Sequence, residues 1–153
     1  MATHDIGEAD SLSKQGPRPQ SGTTLSLPPL AAAGDVLVLV MFAAIGRASH
    51  GEHDGALGVL GTAAPFLAGW FVAAFALHAY SPRSFASVRI SVRRTAITWL
   101  LGGLLGLGIR SALEGRVVPV SFAAIALAFN LATLSGWRAA LTIITQHGSG
   151  KVE

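Results

Sequence analysis

The sequence contains no cysteine. Disulfides, thiolate zinc sites, iron–sulfur clusters and cysteine nucleophiles are therefore excluded, although the redox compartment stays undetermined. Charge is scarce as well: Asp, Glu, Lys and Arg make up 12% of the 153 residues, against about 25% in soluble domains. A soluble fold of this size would carry more surface charge. Catalytic signatures are also missing. There is no P-loop, HExxH or GxSxG motif, and the cluster Gly103-Leu-Leu-Gly106-Leu-Gly108 has neither the G-x-G-x-x-G order nor a preceding strand. General acid–base chemistry needs several positioned titratable groups and few are available, so the reading is non-enzymatic, with no cofactor. The net charge of +3 does not indicate nucleic acid, because the basic residues lie between apolar runs and no soluble domain offers them a face.

What is present is apolar and continuous. Hydrophobic residues make up 51% of the chain, the mean hydropathy is +0.54, and four long runs supply it. Residues 1–29, rich in Ser, Pro, Gly, Gln and Thr and including Pro17, Pro19, Pro28 and Pro29, read as a disordered cytoplasmic tail. Spans are expected over about 30–46, 56–80, 95–113 and 117–137, each near the roughly 20 residues that cross a bilayer, with 139–153 as a second cytoplasmic tail. Pro65 should kink the second span. A cleaved signal peptide fits the first run poorly, since the leading tail is long and Asp35 interrupts the apolar stretch. A soluble bundle fits no better, because the second and fourth runs have no polar face. The fold class is all-α, a polytopic bundle of four transmembrane helices.

Loop charge gives this bundle a direction. With an even number of crossings, Lys14, Arg18, Arg83, Arg89, Arg93, Arg94, Arg138 and Lys151 share one side, while Arg47, Arg110 and Arg116 lie on the other. The positive-inside bias places both termini in the cytoplasm. The stretch Ser84 to Arg94 (SFASVRISVRR) has the pattern of a short interfacial helix touching anionic lipid head groups, or of an ordinary orientation-setting loop.

Three groups of residues are candidates for function. Asp35 is an acid inside a span, a position that is costly and usually faces the bundle interior with a partner. Asn130 comes to a similar depth and His78 lies near the same side, so the two form, with Arg138, a candidate intramembrane polar site around Asp35. Two readings of Asp35 stand: a proton or cation site, or an interfacial carboxylate favoured by the positive end of its helix. On the opposite face Arg47, His50, Glu52, His53 and Asp54 crowd one loop and Arg110 lies near the other with Glu114 and Arg116. His50 and His53 beside acids are suitable ligand types for a divalent metal, yet nothing fixes four convergent ligands; Arg47 and Arg110 alternatively form an anion-binding pair. The third group is structural. Gly61, Pro65 and Gly69 recur every fourth position on the second span and Gly102 and Gly106 do so on the third, the small-residue spacing that brings helices close in lipid, within the bundle or between copies.

A faint internal repeat accompanies these sites. Each half has a span, a loop with Arg then Glu, and a second span carrying Pro then Phe (Pro65-Phe66; Pro119 and Phe122), as in the parallel repeats of some transporters. Five segments carry a resemblance: Gly34-Asp35-Val36 with Ile45-Gly46-Arg47-x-Ser49-His50-Gly51, then Thr62-Ala-Ala-Pro65-Phe66-x-Ala68-Gly69-Trp70, then Pro119-Val120-Ser121-Phe122 with Gly136-Trp137-Arg138. Together they resemble the prokaryotic membrane family catalogued as domain of unknown function 3054, over about Asp35 to Arg138. The resemblance implies a small multi-pass protein in the cell membrane of a bacterium or archaeon and transfers no activity. Two functions follow as expectations: a small transporter or permeability component with an internal polar site, or a non-catalytic scaffold or accessory subunit. Its partners would be the lipid bilayer and either a second copy or another membrane protein.

Overall fold

The computed structural model of the chain describes residues 27–51 and 55–149. It contains four α-helices: α1 (Leu27–Ser49), α2 (Gly55–Ala76), α3 (Val88–Glu114) and α4 (Val120–Ser149), with a single 3-10 turn, Pro82–Phe85, between α2 and α3. Each helix is long and apolar enough to cross a membrane; the 22 residues of α2, the shortest, give ~33 Å at 1.5 Å per residue. Consecutive helices pack against one another, and α4 closes the ring by packing on α1. The chain is an all-α, multi-pass membrane bundle.

The distribution of polarity fits lipid outside rather than water. Phe75 is 86% exposed and Val117 88%, whereas Asp35, Thr98, Asn130, Arg138 and Thr142 are buried among the helices. A soluble bundle would invert that arrangement. The buried residues of α1, Ala31, Asp35, Leu39, Phe42 and Ala43, follow helical spacing, so one stripe of that helix faces the bundle and the rest faces lipid.

The helix limits differ from those expected. α1 begins at Leu27, so Pro28 and Pro29 lie in its first turn, where their missing N–H groups cost nothing; the rest of the expected N-terminal tail, residues 1–26, lies outside the described residues. α2 ends at Ala76 and not at Tyr80. His78 takes a left-handed φ of 52°, its N–H donates to Phe75 O and that of Ala79 to Ala74 O, which is the Schellman ending usually built on glycine. α3 starts at Val88, capped by Ser87, whose Oγ accepts from Ile90 N at 3.3 Å. The stretch Ser84 to Arg94 is thus no separate interfacial helix but the end of the 3-10 turn and the first turns of a long span. α4 continues to Ser149 because Leu141 still packs with Ala31 and Phe85, so most of the expected second tail is helical.

The glycine ladder acts mainly inside the molecule. A Cβ on Gly102 would stand 2.8 Å from Gly69 O, and one on Gly106 would stand 3.0 Å from Pro65 O and Phe66 Cα. α2 and α3 therefore meet backbone to backbone, as small residues permit in lipid. Gly61 is the exception, because a Cβ there would meet nothing within 4 Å; its side of the helix is off the α2–α3 seam.

Candidate functional site

The end of the bundle where α1 begins and α4 finishes is closed by a buried polar knot. Asp35, two turns into α1, and Arg138 on α4 are 0% and 1% exposed. Arg138 Nε donates to Asp35 Oδ1 at 2.9 Å and Nη2 to Oδ2 at 2.5 Å. This two-point geometry is specific to guanidinium and carboxylate. Tyr80 Oη donates to Oδ2 at 2.8 Å and in turn accepts from Trp70 Nε1 at 3.0 Å. The Schellman turn of α2 directs the Ala79 carbonyl to Arg138 Nη1 at 3.3 Å. The guanidinium also lies 4.8 Å from the Tyr80 ring centroid, 5.3 Å from Phe85 and 5.9 Å from Trp70, a setting in which ring quadrupoles attract a cation. Burial and then the Asp35 carboxylate raise the Tyr80 hydroxyl above the ordinary phenol range, which keeps it protonated and donating.

Two neighbouring family-like motifs create this contact. Gly34 precedes Asp35 and Trp137 precedes Arg138, and the Trp137 indole occupies the space a Gly34 side chain would need. The interfacial reading of Asp35 is overturned, since the carboxylate is buried and its cation is Arg138. Of the other residues expected there, Asn130 is buried but turns away: its Nδ2 donates to Ala126 O at 2.9 Å, and its Oδ1 has no hydrogen-bond partner among the described residues. His78 is exposed and stands outside the knot, because the left-handed turn points the chain away at that residue. Tyr80 and Trp70 are the partners that sequence reasoning missed.

At the opposite end a cavity of about 470 Å³ opens between all four helices. Arg47, Arg110 and Arg116 line it with His50, Glu114 and Phe122. Glu114 accepts from Arg110 at 2.6 Å and from Arg116 at 3.1 Å, so one carboxylate serves two guanidiniums. Arg110 also lies 5.1 Å from the Phe122 ring centroid. Arg47 Nη1 donates to Thr62 Oγ1 at 3.2 Å, lying on α2 where Gly58 leaves room for it. The structure thus brings Arg47 and Arg110 to one cavity. Glu52, His53 and Asp54 lie outside the described residues.

Between the two ends the axis is filled by rings. Phe122 contacts Phe66 at 6.2 Å between centroids, Phe66 contacts Trp99 at 6.3 Å, and Trp99 contacts Trp70 at 6.4 Å. This column runs from the ring under Arg110 to the ring under Arg138. On α4 the inward residues Ala126, Asn130, Leu134 and Arg138 follow beside it at four-residue spacing, each at most 1% exposed. The orphaned Asn130 carbonyl is therefore an unpaired polar point beside the aromatic column.

No curated protein and no solved structure matches the chain. A family model does, over residues 32–141, a stretch that begins just before Gly34-Asp35 and ends just after Trp137-Arg138. The paired motifs of the knot mark its two limits, and the chain belongs to the family described as Protein of unknown function (DUF3054).

Proposed function

We propose that this bundle is a small transporter that passes a small anionic solute along its axis. The observation that carries the reading is the cavity between all four helices, lined by Arg47, Arg110 and Arg116, at the end opposite a closed Asp35–Arg138 pair. Guanidiniums in a partly apolar cavity attract carboxylate or phosphate groups. Glu114 holds Arg110 and Arg116 in place while leaving their joint charge positive. Asn130, with an unused buried acceptor, offers a water that accompanies the solute a resting point midway. In the conformation described, the aromatic column and the charge pair close the route, so passage requires the rings to turn and α1 to part from α4.

The orientation belongs to the same proposal: the termini and the arginines of the α2–α3 turn lie in the cytoplasm of a prokaryotic cell, and the Arg47 cavity faces outward. Single cysteines at Ala86 and His50 test it, with only the latter reacting with an impermeant reagent in intact cells. The transport reading is tested in proteoliposomes by the uptake of a panel of small carboxylates, phosphate and chloride. The expected result is saturable uptake of at least one anion that falls about tenfold or more with Arg110→Gln, as loss of a charged hydrogen-bonding partner should give. Uptake no greater than in protein-free vesicles for every anion contradicts it.

A further inference from the structure

A second pocket lies on the flank of the α2–α3 turn, far from the Arg47 cavity. It has a volume of about 550 Å³ and is lined by Leu77, His78, Ser81, Pro82, Arg83 and Arg94. We propose that it binds the phosphodiester head group of an anionic glycerophospholipid. The proposal does not depend on transport.

Charge points to an anion. From Gly55 to Leu113 the sequence has no Asp or Glu, and among the described residues no carboxylate pairs with Arg83 or Arg94. Arg94 is half-buried and already aimed: Nη1 donates to Ser84 Oγ at 3.2 Å and to Ser81 Oγ at 3.5 Å. That anchoring leaves the other guanidinium donors for a ligand, in a fork suited to phosphate oxygens. Arg83 and His78 are exposed beside it, the latter held by its left-handed turn.

Position points to a lipid. Leu77 walls the pocket itself, and on α3 the exposed residues that share the face of Arg94 toward the middle of the span, Ile97 and Leu101, are apolar. The pocket therefore spans the boundary between hydrocarbon and head groups. A free phosphate would use the cations and leave the Leu77 wall uncovered. A phospholipid uses both, its phosphate on Arg83 and Arg94 and its acyl chains along Leu77, Ile97 and Leu101.

The test uses the full chain in neutral detergent, with phosphatidylglycerol and phosphatidylcholine of the same acyl chains offered in competition and the retained lipid measured by native mass spectrometry. The expected result is preferential retention of phosphatidylglycerol, reduced about fivefold by Arg83→Gln and further by Arg83→Gln with His78→Gln. Arg89→Gln with Arg93→Gln removes exposed charge from α3 outside the pocket and should leave retention near the wild-type level. All these positions are exposed, and matching thermal unfolding will confirm that the variants fold. Equal retention of the two lipids overturns the proposal, as does an equal loss from both sets of variants. Displacement by inorganic phosphate overturns the lipid assignment in favour of a free phosphate.

Discussion

Asp35 and Arg138, 103 residues apart in the chain, are joined by two hydrogen bonds within the membrane-spanning bundle and shielded from its surroundings. They tie the first helix to the last. A pair of this kind contributes little net stability relative to an apolar replacement, but breaking it strands one charge. Asp35→Asn and Arg138→Gln should each cost about 3–5 kcal/mol, read as a lower unfolding midpoint in detergent. The double variant should cost much less than the sum. Additive losses would show that the two residues do not act as a pair.

The α2–α3 seam separates the glycines by consequence. Gly102→Ala pushes a methyl toward the Gly69 carbonyl and should cost about 1–3 kcal/mol, as overpacking does. Gly61→Ala meets open space and should be neutral or stabilising by up to ~1 kcal/mol, the helix-propensity difference. The same unfolding measurement checks both, and equal effects would contradict the seam.

Tyr80 is the single tyrosine in the sequence, so its ionisation can be read directly from near-ultraviolet phenolate absorbance. Its folded pKa is raised, so its contribution to stability is complete below the unfolded value of about 10 and is lost as pH rises toward the folded one. The folded protein should show no phenolate where the unfolded chain is already half ionised. Tyr80→Phe should lower stability by about 1–3 kcal/mol, because Trp70 Nε1 then loses its acceptor and Asp35 a donor. A normal phenol titration in the folded protein would place the hydroxyl in solvent.

Most of the bundle was legible in the sequence, and the reasons are physical. Continuous apolar runs specify spans because the bilayer demands satisfied backbone groups and apolar exteriors. Asp35 stood out because an acid in such a run requires a partner, and Arg138 was among the residues expected beside it. His78 was not legible as an outsider. Periodicity locates it on the end of α2, but the left-handed turn at that residue depends on where the helix stops. In one dimension Trp70 is a mid-span aromatic and Tyr80 an interfacial end; only the packing of α2 against α1 turns them into the hydrogen-bond chain behind Asp35. Helix ends were the weakest reading for a related reason, since α3 and α4 extend past the apolar runs on the strength of a Ser87 cap and Leu141 packing.

The proposed route along the axis is tested most directly at Asn130, in a chain that has no native cysteine. Asn130→Cys should react slowly with a small anionic thiol reagent applied from the Arg47 side, and a transported anion should slow it further. Ser121→Cys, exposed at the cavity, should react quickly as the reference. If Ser121→Cys is modified while Asn130→Cys stays unreactive in membranes from either side, the interior is sealed and the bundle is not a solute path.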